Sequence, residues 1–356
     1  MRNFAEYPKN IYSGLWKYGH CQGIAVDTEK EFIYYSFTTA LVKTDLEGNL
    51  IGSCIGLLGH LGCIQFNKKD GRVYGSLEYK NDIIGRNILK NLGSDYTITD
   101  GFYIVMFDVD KIDRVDMDAC SDGVMTSVYL KEVVDDFSAE VVQGGKTLKH
   151  RHGCSGIDGT TFGRIPGSTD DKEYLFVTYG VYGDNERTDN DYQVILCYDT
   201  ENWGTYEKPL NQDNMHTCGP EAPYKKFFVY TGNTTWGVQN LEFDRSTGNF
   251  LMAVYLGKKP QFPNLPMYIV DGSVAPKTEK LAGYDPEMTG EVLSLLPNGT
   301  DCKTPGWTFP HGSTGLCHLG GEWYYVSCHG RTEENQHYTN VKLCRWNGKD
   351  PLEIVE

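Results

Sequence analysis

No stretch of 18 apolar residues occurs anywhere in the chain, so nothing in it reads as a membrane-spanning helix. Basic residues are few, with 33 Lys and Arg against 48 Asp and Glu, a formal charge of −15. That balance argues against a nucleic-acid binder, which tracks phosphates with a basic footprint, and against docking on an anionic membrane. The opening segment MRNFAEYPKNIYSGLWKYGH lacks the apolar core and small-residue cleavage site of a secretory signal. Cysteine is present at 11 copies, but the number is odd and no Cys-x-x-Cys pair occurs. Cys63, Cys197, Cys317, Cys328 and Cys344 sit in apolar strand-like runs, which suits buried free thiols in a reducing compartment. A cytoplasmic location is the expectation. Helical periodicity is nearly missing as well, its one weak instance falling near residues 80–92.

What the chain does have is a core-forming composition and short alternating apolar runs. It is 40% hydrophobic and rich in Tyr (24), Phe (15) and Gly (40), which marks an all-β globular chain. A length of 356 would allow two domains, though closed all-β folds reach that size as one. An internal repeat decides for one domain over residues 1–356. The repeat unit is a small residue, an apolar anchor, a short strand, a polar turn and a very apolar second strand. It reads GIAVDTEKEFIYYSF, CIQFNKKDGRVYGSLEY, GIDGTTFGRIPGSTDDKEYLFVTYG, NLEFDRSTGNFLMAVYLG and GLCHLGGEWYYVSCHG. A third strand ending in an Asp-Gly- or Asn-Gly-type turn follows each copy, at 41–49, 103–111, 194–202, 267–273 and 341–349.

Five such units predict a five-bladed β-propeller of four-stranded antiparallel blades, since one blade cannot bury both faces alone. The anchors are Ile24, Ile64, Ile157, Leu241 and Leu316, and their unequal spacing implies long loop insertions. Residues 352–355 or 11–16 would supply the outer strand of the closing blade and remove an open edge. Six blades is the alternative, with the sixth in residues 291–309, and 275–304 is the best stretch for an ordered excursion.

The residue four or five positions before each anchor is His20, His60, His152, Trp236 or His311. Only nine histidines occur in 356 residues, so four at one register is more than scatter. Three readings stay open. The four imidazoles hold one divalent metal ion (Mn, Zn or Ca), or each staples neighbouring blades through a carbonyl, or one acts as acid or base without metal. No organic cofactor is expected. The loops leaving the second strands reach the same face. Those nearest a strand end give the proton-transfer and catalytic candidates Glu78, Tyr179, His329 and Arg331. Trp236 and Trp307 offer stacking surface for a sugar, and His150 and Arg151 add positive charge for an anionic group. Glu242, Gln65 and Asp158 share one inner-strand register, as ion-pair or channel-lining groups.

The repeat resembles β-propellers over nearly the whole chain. Five-bladed glycoside hydrolases are similar in blade count, but they carry carboxylates where this chain carries His20, His60, His152 and His311. The histidine arrangement looks more like that of oligogalacturonate lyases, which hold a metal through histidines at the channel mouth. The resemblance implies an enzyme acting on a small carbohydrate, as glycoside hydrolase or lyase, on a sugar with a carboxylate. The alternative is a non-catalytic propeller that binds a ligand or protein, and a third option is a metal-dependent lactonase or phosphoesterase.

Overall fold

Alternating strands closed by polar turns fold here as antiparallel meanders. The structure, a computed structural model, describes residues 3–297, 305–347 and 352–356. The inner strand hands over to the second through a short turn in blades 1, 2, 4 and 5, and through the loop 164–173 in blade 3. In three blades a side chain at the strand end closes that turn: Asp27 accepts from the Glu29 and Lys30 amides, Asn67 from Lys69, and Asp244 from Ser246 and Thr247. Blade 1 is Cys21–Asp27, Phe32–Phe37, Ala40–Asp45 and Leu50–Ile55. Blade 2 is His60–Asn67, Arg72–Tyr79, Gly101–Phe107 and Met125–Tyr129. Blade 3 is Cys154–Gly163, Tyr174–Val181, Tyr192–Tyr198 and Lys225–Tyr230. Blade 4 is Thr235–Phe243, Phe250–Tyr255 and Met267–Val270. Blade 5 is Leu316–Gly320, Trp323–Arg331, His337–Arg345 and, from the N-terminus, Asn10–Tyr12.

The inner strands pack side by side in chain order, and the fifth returns to the first, so the chain is a five-bladed β-propeller. Apolar side chains of facing blades fill each interface. Leu61, Leu77 and Tyr79 of blade 2 meet Tyr34 and Leu41 of blade 1, while Phe102 and Ile104 meet Leu175, Val177 and Tyr179 of blade 3. Both expected closing segments share one edge. Asn10–Tyr12 pairs with 340–342, and Glu353–Ile354 pairs with 344–345 of the same strand. That pairing leaves blade 5 no open outer edge along 340–345.

Residues 291–309 form no sixth blade among the described residues. Of these, residues 294–296 and 307 lie along the outer edge of blade 4, where Leu296 donates to Ile269, Ser294 accepts from Asp271, and Trp307 donates to Met267. This irregular edge stands in for a fourth strand. The excursion at 275–304 is a hairpin of Lys277–Lys280 and Thr289–Val292 laid parallel on the outer strand of blade 3. Its last part, 298–304, lies outside the described residues.

Two helices interrupt the sheets. α1 (Ile83–Leu92) follows the second strand of blade 2, where the weak periodicity suggested it. α2 (Lys131–Ser138) was not anticipated, and it buries Val133, Asp136 and Phe137 against blades 2 and 3. No helix among the described residues is long and apolar enough to cross a membrane. The ten described cysteines carry free thiols.

Candidate active site at the channel mouth

Four inner strands break register near their N-terminal ends. The shifts fall between Cys21 and Gly23, Leu61 and Ile64, Ile157 and Thr160, and Val238 and Asn240. A bulge leaves its extra residue unpaired and re-aims the side chain. Here Gln22, Asp158 and Gln239 are those residues, and all three turn into one cavity of about 430 Å3 at the channel mouth. That volume suits a small-molecule site, for which ~300–1,000 Å3 is usual. In blade 2 the bulge holds Gly62, and a Cβ there would lie 2.5 Å from the Asp158 carboxylate, so glycine makes room for the acid.

Strand alternation delivers the second acid. Leu77 and Tyr79 face the core between blades 1 and 2, so Ser76 and Glu78 face blade 3. The Glu78 carboxylate accepts from the Ile157 amide at 3.0 Å and stands 2.6 Å from Lys80 Nζ and 3.3 Å from His60 Nδ1. Lys80 also donates to the Ser155 carbonyl at 2.7 Å. Gly156, at φ 124°, is required here, because a Cβ would sit 1.9 Å from Glu78 Oε2.

Burial opposes each charge in this group, and the neighbours decide the outcome. Burial would raise Glu78, but the Lys80 ammonium and His60 outweigh it and hold the carboxyl below its ordinary range. Burial would lower Lys80 and His60, but Glu78 and neighbouring acids raise both. Asp158 goes the other way. Burial pushes it up to about 7 against the pull of His60, with Glu78 adding to the rise. One carboxyl is therefore held ionised and the other holds its proton near neutrality.

The rim is a histidine array. The His20 and His329 rings meet edge-on at 5.4 Å, and His329 stacks on His337 at 5.3 Å. Burial and its histidine neighbours push His20 down to about 3, and burial and His337 bring His329 to about 4, so both are neutral at pH 7. Trp236, at φ 66°, Tyr255, Lys17 and Arg331 complete the wall.

Of the sequence-selected residues, His20, His60, Glu78, Asp158, Trp236 and Arg331 line the cavity, with His329 stacked behind His337. The other candidates are elsewhere, and the four-histidine metal ring is not formed. His20 and His60 directly precede the residues paired just before the bulge, Cys21 and Leu61. In blade 3 that paired residue is Ile157, so the counterpart of His60 is Gly156 and not His152. His152 is buried, bonded to the Tyr284 hydroxyl at 2.6 Å and 3.9 Å from Asp136. His311 contacts Cys328 Sγ at 3.7 Å and Phe309. No three His, Cys, Asp or Glu side chains among the described residues are grouped to hold a metal ion, so this donor set does not fit Mn, Zn or Ca.

Tyr179 is fully buried with the wrong strand parity, and its hydroxyl donates to Asp136 at 2.8 Å. Burial raises that phenol well above its ordinary range, which removes it from proton transfer with a ligand. Arg151 also binds Asp136, at 2.7 Å, and His150 bonds the Phe137 carbonyl, so their charge and polarity go to anchoring α2. Trp307 packs edge-on against Trp346 in the core between blades 4 and 5. Glu242 accepts from the His318 amide, and Gln65 opens onto a smaller cavity of about 180 Å3 at the opposite end of the channel. Sequence reasoning did not place Gln22, Gln239 or the face of α1 in the site, and it favoured Glu78 over Lys80. Only the charge of Lys80, two residues after Glu78 on the same strand face, offered a signal.

No protein-family profile matches the chain, and no curated protein sequence matches it. Solved structures are similar in fold. A GH43 β-1,3-galactosidase with galactodeoxynojirimycin shares 12% identity over 97% of each chain, at a TM-score of 0.41. The apo form of the soluble aldose sugar dehydrogenase from Escherichia coli shares 10% identity, covering 94% of this chain and 99% of that one, at 0.39. The PQQ domain of the Coprinopsis cinerea pyranose dehydrogenase shares 11%, covering 90% and 81%, at 0.33. At such low identity and overlap these likenesses assign no residue role in this chain.

Proposed function

We propose that the chain is a carbohydrate-acting enzyme, a glycoside hydrolase whose reaction centre is the carboxyl pair Glu78 and Asp158. The observation that carries this reading is a pair of buried acids in one cavity whose surroundings act in opposite directions, Lys80 at 2.6 Å holding Glu78 below its ordinary range and burial raising Asp158 to about 7. Glycoside hydrolysis uses such a pair. Asp158 is the general acid that protonates the leaving oxygen as the bond to the anomeric carbon breaks. Glu78 is the negative charge that stabilises the cationic sugar ring, while water supplies the new C–O bond. Having given its proton to the leaving oxygen, Asp158 is left as a carboxylate, and it takes up the proton that the attacking water releases. Gln22 and Gln239 suit sugar hydroxyls, and Trp236 suits the apolar face of a ring.

Lys17 and Arg331 on the rim favour a sugar bearing a carboxylate, and with it a second reading as a lyase. The test is a screen of neutral and uronic oligosaccharides followed by product analysis. Saturated products with a new reducing end support hydrolysis. An ultraviolet-absorbing double bond in the product supports elimination. No turnover on any member leaves the binding propeller as the better reading.

A further inference from the structure

α1 is an insertion that only blade 2 carries at this position, and it stands over the cavity. Ile84, Asn87, Ile88 and Asn91 recur at helical spacing, so they share one face, and all four line the cavity wall. The helix is fixed to the reaction centre at its start. Asp82 caps it by accepting from the Ile84 and Gly85 amides at 2.9 and 3.0 Å. The same carboxylate takes the Tyr182 hydroxyl at 3.1 Å and lies 4.0 Å from Lys80 Nζ. Gly85 packs so close that a Cβ would meet the Lys80 carbonyl at 1.9 Å. Asn87 and Asn91 are exposed, and neither side chain has a bonding partner on α1 to occupy it.

A rigid wall that alternates aliphatic and amide side chains matches a sugar ring, which offers apolar C–H patches and hydroxyls together. The acids lie on the floor, Asp158 on the inner strand of blade 3 and Glu78 on the second strand of blade 2 opposite His60, while Asn91 and Leu92 are at the far end of the helix. A single ring held at the acids would leave that outer wall empty.

We propose that the Asn87–Asn91 face of α1 forms a second sugar subsite, so that the preferred ligand has at least two rings. This deepens the reading of the cavity as a carbohydrate site and rests on it. Asn87 and Asn91 hydrogen-bond the outer ring, and Ile88 packs beneath it.

The test is calorimetric binding of matched mono-, di- and trisaccharides, neutral and uronic, to the wild type and to an Asn87→Ala/Asn91→Ala variant. Alanine is the better helix former at both positions, so the variant should fold with an unchanged or slightly higher melting temperature. The expected result is a disaccharide that binds about tenfold or more tightly than its monosaccharide, the scale of two net hydrogen bonds. The variant should lose that gain and keep its monosaccharide affinity. A wild type without the gain, a variant that retains it, or no binding by any saccharide overturns the subsite. If saccharides bind with the length-dependent gain and none is cleaved, the subsite stands and the hydrolase reading fails.

Discussion

Lys80 Nζ lies 2.6 Å from Glu78 Oε1, with the two side chains only 4% and 2% exposed. Two such charges are costly to bury, and each is tolerable only because the other is there. Lys80→Met should therefore destabilise the protein by about 3–5 kcal/mol, because it leaves Glu78 buried with His60 as its remaining side-chain partner. Adding Glu78→Gln should recover much of that loss. Chemical denaturation of the two single variants and the double variant measures it, and additive losses would mean that the pair is not coupled.

Gly156 tests the same contact from the backbone. Its φ of 124° and the 1.9 Å approach of Glu78 to a Cβ leave no space for alanine. Gly156→Ala should displace the Glu78 carboxylate and lower turnover by about tenfold or more, the scale of 1.4 kcal/mol or greater in the barrier. Kinetics of the folded variant would show it. An unchanged rate would mean that the Glu78 position does not matter to the reaction.

His152 should behave as a structural residue. Burial holds it down to about 3 against the attraction of Asp136. The unfolded chain takes up this proton below about 6.5, while the folded chain does not until about 3. The histidine thus lowers stability progressively as pH falls through that window. His152→Asn should cost about 1–3 kcal/mol at pH 7 through the lost Tyr284 bond. The gap to the wild type should then narrow as pH drops from 6.5 toward 4. Melting temperatures across that range measure it, and a gap that widens would contradict the assignment.

The ring of blades was legible because the Gly-small-apolar anchors and Asp-Gly-type turns repeat with the strands they start and stop. The site was legible only where side-chain direction followed from local pattern. Glu78 and Tyr179 were both chosen by closeness to a strand end, but Glu78, between Leu77 and Tyr79, has parity away from the core, whereas Tyr179 has core parity. The bulges were invisible, because a register break leaves no composition signal of its own. In blade 3 the break moves the true counterpart of His60 to Gly156, four residues beyond His152. One cue was available. His20 and His60 follow a glycine, whereas His152 and His311 precede one, and Gly153 and Gly312 adopt φ of 69° and 99° that turn the chain after the histidine. α2 was missed because its eight residues carry only two large buried apolar side chains, Val133 and Phe137.

The most direct test of the reaction centre is the pH dependence of turnover for the wild type and Asp158→Asn on the best glycoside from the oligosaccharide screen. Burial raises Asp158 to about 7, so its proton is present below that pH and lost above it. The wild-type rate should fall on the alkaline side through about 7. Asp158→Asn should lose about 10²-fold or more in rate, the scale of a positioned general acid, and lack that alkaline limb. A variant within a few-fold of the wild-type rate, or one that keeps the limb, would contradict the assignment of Asp158 and Glu78 as the reacting pair.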